Sequence, residues 1–248
     1  MLIIASSNPT FMPRLLDESS AYLFGVAPKT LVSFKAALDT HIWRQHYDPF
    51  SCVIIGQNDS EVILVRDHIG LEPLYYWHQP GKKLVFGQTL PDILKHLPHN
   101  PSILESQMAA LFSDQKNYSD ETIYQGVYRV EPGHLVHFKP NGSIEKRAYW
   151  QLERDGMELY YNDEQDYLDH FSSLLNESIQ HATKNQQHIA AEFSAGLDSS
   201  AVYCAAVANK IKPKLYMHIH SPDSKLSTLY NEHYENAFID HYELTDIK

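Results

Sequence analysis

Residues 193–200 read Phe-Ser-Ala-Gly-Leu-Asp-Ser-Ser and stand between a short apolar run, "HIAAEF", and a helix-forming run, "SSAVYCAAVANK". Strand, tight turn and helix in that order can hold a phosphate. A helix that starts at the carboxyl end of a parallel strand directs unpaired backbone N–H groups and the positive end of its dipole outward. Small residues let a ligand approach the backbone, and Ser194, Ser199 and Ser200 add hydroxyl donors. Asp198 would repel a phosphate unless a cation lies between them. A magnesium ion with Asp198 as direct or water-mediated ligand completes this reading. Ser, Gly and Asp are also ordinary turn and helix-cap residues, so composition alone leaves a plain βα loop as the other reading.

The elements that must position this turn lie on both sides of it. Upstream, Asn162 and Gln165 can cap a long helix whose Leu168, Phe171, Leu175, Ile179 and Ala182 share one face. Downstream of the first helix come a second strand, "KLYMHIH", and a helix with apolar repeats at Tyr230, Tyr234, Ala237 and Phe238. A further unit begins at "YELTDIK". This alternation predicts the start of an α/β doubly wound parallel sheet. His218 and His220 share one face of the second strand, but no third ligand has a spacing that would complete a metal site.

The first 150 residues follow another pattern. "SSAYLFGVA" is strand-like, and "TLVSFKAALDTHIW" sets Leu31, Phe34, Leu38 and Ile42 at helical spacing. Three hairpins follow: "FSCVIIG" with "EVILVRD", "PLYYWHQ" with "KLVFGQ", and "HLVHFKPNGSIEKRAYW", which turns at Asn141-Gly142. Ser102 and Glu105 form a capping-box pattern ahead of "MAALF". Antiparallel sheet is predicted here, with polar residues 151–163 as a linker to a second domain over 164–248.

Bulk properties bound the function. A net charge of −11 and the lack of a Lys/Arg cluster exclude a nucleic-acid partner. No apolar run approaches a membrane span, and "MLIIASSNP" lacks the basic region of a signal peptide, so no membrane partner and a cytoplasmic location are expected. The two cysteines, Cys52 in a strand and Cys204 in a helix, read as core residues of a protein from a reducing compartment.

Four segments in order carry a family resemblance. "RDHIGLEPLYYW" (66–77), "VEPGHLVHF" (130–138) and "AYWQL" (148–152) resemble segments of the glutaminase domain of asparagine synthases. "FSAGLDSS" (193–200) is similar to their "SGGxDS" ATP-pyrophosphatase signature. The resemblance covers most of the chain and is weakest in the first 45 residues. It implies an α+β N-terminal-nucleophile-like sandwich over 1–150, followed by a partial ATP-pyrophosphatase domain. It also implies ATP and Mg²⁺ as cofactors, with Phe193, Ser194, Ala195, Gly196, Leu197, Asp198, Ser199 and Ser200 around the pyrophosphate. His218 would lie beside the nucleotide. Small-molecule partners would be a carboxylate, aspartate or related, and an amine donor. A protein partner would be a second copy or a complementing subunit.

The departures carry as much meaning. The family's glutaminases place a cysteine directly after the initiator Met; here Leu2 stands there and cannot attack an amide. The segments that would hold glutamine have no counterpart. Ala195 replaces a glycine, which sets the loop back from the phosphates, and Glu72 replaces a lysine. The family's synthetase domain also continues well beyond this point, so the chain reads as a fragment, an early-ended gene or a piece of a split enzyme. Three functions follow: an amide ligase without glutaminase activity, a cyclase that closes an amide within its own substrate (as β-lactam- and lasso-peptide-forming enzymes do), or a non-catalytic remnant.

Overall fold

The computed structural model describes residues 2–4, 14–16, 19–25, 31–56, 60–113, 119–152, 158–184, 186–194, 196–217, 233 and 236–241. The chain divides into two compact units, Met1–Asp155 and Gly156–Lys248.

The first unit has two sheets. One contains, in spatial order, β10 (Ile144–Ala148), β9 (His134–Phe138), β5 (Val62–Arg66), β4 (Phe50–Ile55), β3 (Ser19–Gly25) and β2 (Arg14–Leu16), all antiparallel. The other runs β1 (Leu2–Ile4), β7 (Lys83–Gly87), β6 (Tyr75–Gln79) and β8 (Val127–Arg129), with β1 parallel to β7. Strand alternation builds the layers. Val53, Ile55, Val62 and Leu64 face Tyr76, Leu84 and Phe86 in a core between the sheets. Cys52, Ile54, Ile63 and Val65 face the opposite way, onto Leu31, Ala37 and Trp43 of a helical layer. Beyond the second sheet, Trp77, Val85 and Val127 pack with Ile93 of α3 (Leu90–Leu94). Helix, sheet, sheet, helix is the α+β N-terminal-nucleophile-like sandwich that the sequence led us to expect. It explains why "FSCVII" is buried throughout: both faces of a central strand are covered.

The expected hairpins pair as read, although the turn residues 57–59 between β4 and β5 lie outside the described residues. Three local expectations change. The run at 31–43 forms two short helices, α1 (Phe34–Ala37) and α2 (Thr40–Arg44), because Ser33 and Asp39 each cap a new start with a side-chain oxygen. The Ser102–Glu105 box does not form: α4 (Glu105–Phe112) begins after Leu104, leaving Glu105 in its first turn. In the second unit, α5 (Glu164–Thr183) is capped by Asp163, whose Oδ1 accepts from Gln165 N at 3.0 Å, and not by the Asn162 and Gln165 pair.

The second unit pairs β11 (Ala190–Phe193) with β12 (Lys214–Met217) in parallel, and α6 (Leu197–Ala208) lies between them in sequence. Phe193 and Tyr203 pack with Ala191, Val207 and Phe238, the last from helical residues 236–241. Of the expected stripe on α5, Ile179 is buried, Leu175 is half-buried, and Leu168, Phe171 and Ala182 are exposed. Just past α6, the side chain of Asn209 bonds those of Asn176 and Gln180 on α5. Tyr230, Tyr234 and the segment from residue 242 onward lie outside the described residues. Among the described residues, no helix is long and apolar enough to cross a membrane.

Candidate functional site

Three of the sequence motifs meet in one hydrogen-bonded knot. The irregular segment after β5 has its backbone satisfied by two adjacent side chains. The Asp67 carboxylate, 2% exposed, accepts from the N–H groups of Ile69, Gly70, Leu71 and Glu72. The Arg66 guanidinium donates to the carbonyls of Gly70, Glu72 and Val130. From the second motif, Gly133 N donates to Asp67 O at 2.8 Å, while Gly133 O accepts from Tyr149 N and Trp150 N. From the third, the Tyr149 hydroxyl donates to Arg66 O at 2.6 Å and Tyr149 O accepts from Arg44 Nε at 2.7 Å. Burial pushes the Tyr149 phenol well above its ordinary range, which keeps it a donor. These motif residues position strands: the polar groups of Arg66, Asp67 and Tyr149 described above are spent on backbone partners.

Gly133 sits at φ +68, and a Cβ there would come 2.5 Å from the Trp150 carbonyl oxygen. Gly133→Ala is therefore expected to destabilise the protein by roughly 3 kcal/mol, as the sum of left-handed strain and displaced backbone. Urea unfolding followed by circular dichroism checks this, and an unchanged midpoint would contradict it.

A pH effect arises in the same knot. His68, 8% exposed, lies against the rings of Tyr47, Tyr149 and Trp150. Burial holds its pKa below the ordinary histidine value, despite its contact with the Arg44 carbonyl and the charge of Asp67. The unfolded chain thus takes up the proton more readily. The stabilisation is present above about pH 6.5 and is lost as pH falls from there through the folded pKa. His78 is shifted the same way by burial and Lys146. Denaturation midpoints are expected to drop between pH 7.5 and 5.5, and to drop less in His68→Gln; equal drops would exclude His68.

At the position where the resemblance expects a nucleophile, Leu2 opens β1 and lies in register with Leu84 of β7. Cys52 is fully buried on the helix-facing side of β4, and burial pushes its thiol pKa far up, away from the thiolate a nucleophile needs. Cys204 is half-buried within α6 of the other unit.

The loop at the end of β11 is the second candidate. Gly196 caps α6 without any side-chain hydrogen bond to the helix N-terminus. Ser194 N donates to Ser199 Oγ at 3.3 Å, the two seryl oxygens are 3.3 Å apart, and both Ser199 Oγ and Ser200 Oγ donate to Gly196 O. The hydroxyls thus brace the turn from inside. Gly196, Leu197 and Asp198 are exposed, Leu197 to 90%. Phe193 differs: its side chain is buried and stacks on Phe238 at 4.3 Å, so its backbone alone is left for a ligand. Ala195 and His218 lie outside the described residues. Beside the loop a cavity of about 420 Å³ is lined by Asp198, Ser199 and Val202 of α6, Glu192 of β11, and Ile179 and Thr183 of α5. The sequence reading missed Glu192, whose only signal was its place two residues before Ser194. Among the described residues, no group of three or more His, Cys, Asp or Glu stands ready to hold a metal. A lone carboxylate such as Asp198 suits magnesium, which keeps its waters and is shared with phosphate oxygens.

Residues 30–150 match the family model described as a glutamine amidotransferase domain, so the first unit is of the glutamine amidotransferase class. The chain is 29% identical over 156 residues to "Amidase chry2" of Gibberella zeae, covering 62% of this chain and 22% of that protein. It is 26% identical over 165 residues to "Asparagine synthetase [glutamine-hydrolyzing] 2" of Bacillus subtilis, with the same coverages of 62% and 22%. The solved "structure of the allosteric regulatory enzyme of purine biosynthesis" aligns with 84% of this chain and 47% of that one, at 13% identity and a TM-score of 0.30. These findings support an asparagine synthase-like relationship, carried by residues 30–150. It spans about a fifth of the length of the curated relatives it matches.

Proposed function

We propose that this chain contributes to an asparagine synthase-like amide ligase that uses ATP and works without hydrolysing glutamine. The observation that carries the reading is the open amino end of α6 at the carboxyl end of β11, in a parallel strand pair. The backbone N–H groups of Leu197, Asp198 and Ser199 would hold the pyrophosphate, and Asp198 would position a magnesium ion. The glycine fits close approach: at φ −79, and with no atom nearer than 3.4 Å to an added Cβ, the fold itself does not demand Gly196. ATP would supply an adenylyl group to a carboxylate and release pyrophosphate, which turns a poor acyl donor into one with a good leaving group. An amine would then attack the acyl carbon and AMP would leave. Fixed N–H donors aimed at the departing pyrophosphate help most where that charge develops.

The reading of an amine source other than glutamine rests on Leu2 and on the burial of Cys52, which takes it away as a substitute nucleophile. That source is free ammonia in one reading and the substrate's own amine in the other, which would make the protein a cyclase. The test is pyrophosphate release from ATP. Release that needs both aspartate and ammonium supports the ligase; release with a candidate substrate and no added amine supports the cyclase. No release with any acid, together with no ATP binding by calorimetry, overturns both and leaves a non-catalytic remnant. Glutamine hydrolysis above background would contradict the loss of the glutaminase reaction.

A further inference from the structure

The first half of α5 carries a row of large apolar side chains that stand in water. Tyr167, Leu168, Phe171 and Leu174 are 43%, 53%, 65% and 51% exposed, and Leu175 is half-buried. At helical spacing these five fall within about a third of the circumference. The exposed Ser178 and Ala182 continue the row with small side chains. The other half of the helix is engaged: Ile179 is buried, and Asn176 and Gln180 bond Asn209 just past α6. The exposed turns are nonetheless held in place. Asp163 caps them, the Tyr167 hydroxyl donates to Leu159 O and accepts from Tyr161 N, and the Tyr161 hydroxyl lies 2.6 Å from His170 Nδ1. A contiguous apolar row on a fixed helix marks a docking surface.

Charge says what covers it. From Glu158 to Thr183 the chain holds six acidic residues and no Lys or Arg. All six are exposed, Asp166, Asp169 and Glu177 of α5 among them. A second copy docking through the same row would set like charges against each other, and an anionic lipid surface would be repelled. The row is a ridge about four turns long, the shape into which a second helix interdigitates. We propose that α5 docks an amphipathic helix of a partner chain, with apolar side chains on one face and Lys or Arg beside them. The surface stands on the second unit alone and is independent of the nucleotide reading.

The test is fluorescence anisotropy of labelled peptides of about 18 residues, titrated with the full chain. One peptide is a Leu/Lys amphipathic helix, the second its Leu/Glu counterpart, and the third a scrambled Leu/Lys peptide of the same composition. The Leu/Lys helix is expected to bind saturably, and the other two about tenfold more weakly or less still. The double variant Leu168→Gln, Phe171→Gln should weaken binding about tenfold or more, the scale of two large side chains left unburied. Its unfolding midpoint should match the parent, because both side chains are exposed. Asp166→Asn with Glu177→Gln should weaken binding about fivefold, the scale of surface charge pairs. No saturable binding, equal binding of either control peptide, undiminished binding by either double variant, or a lowered midpoint in the first would each overturn the proposal. So would a dimer seen by sedimentation and lost in Leu168→Gln, Phe171→Gln, which gives the row to a second copy. Flotation with phosphatidylglycerol vesicles that the same variant abolishes would overturn it too, in favour of a membrane.

Discussion

The Asp67→Asn variant is expected to be about 3 kcal/mol less stable than the parent protein, a drop of roughly 6–12 °C in melting temperature for a chain of this size. The substitution keeps shape and volume, so the loss measures the hydrogen bonds together with the charge that Asp67 places beside Arg66. Oδ1 accepts from Ile69, Gly70 and Leu71, and Oδ2 accepts from Glu72 at 2.8 Å. An asparagine has one acceptor where the aspartate has two. Its amide nitrogen must face either the Glu72 N–H or the other three, donor against donor, in a place where water does not reach. Bonds to a charged acceptor are the stronger kind, and a buried donor left unpaired costs its full desolvation. Arg66 completes the arrangement by taking the carbonyls of the same segment, so two consecutive side chains replace the ladder that this stretch lacks. Thermal unfolding by circular dichroism checks the figure, and a melting temperature within 2 °C of the parent would show that the carboxylate is not what holds the segment.

The second large effect separates function from stability. Asp198→Asn is expected to reduce pyrophosphate release about a hundredfold or more, the scale of removing one electrostatic contact to a developing charge. Stability should change by no more than about 1 kcal/mol, the value of an acidic side chain in a first helical turn. Asp198 is exposed and caps nothing, since α6 begins at Gly196 without a side-chain cap. A large loss of release with an unchanged unfolding curve supports a metal-positioning role. Unchanged release would remove Asp198 from the proposed site, and a parallel loss of both would make its role structural.

The hairpins were legible because short apolar runs such as "FSCVII" and "EVILV" flank polar turns, and because "PGK" and Asn141-Gly142 mark theirs; the two-layer sandwich followed from the family resemblance. The parallel pairing of β1 with β7 was not, since nothing near Leu2 names a partner eighty residues away. Helix starts shifted at three places: Asp163 displaced Asn162, Asp39 cut one periodic run into two helices, and α4 began after Leu104 without a side-chain cap. The motif at 66–77 could be quoted, but the division of labour between Arg66 and Asp67 belongs to a loop whose backbone path no periodicity encodes. The turn at 194–200 was placed by its small residues. The inward bracing of Ser199 and Ser200, which spends their hydroxyls on Gly196 O, needed coordinates.

Tyr149 grips the Arg66 carbonyl 83 positions upstream and receives the Arg44 side chain 105 positions upstream. On the ribosome, where chains emerge at about 5–20 residues per second, the amino-terminal unit must wait several seconds between making its first hairpin and receiving its last clasp. Until Tyr149 has left the exit tunnel, the nascent unit lacks the contact that ties α2 to the six-stranded sheet.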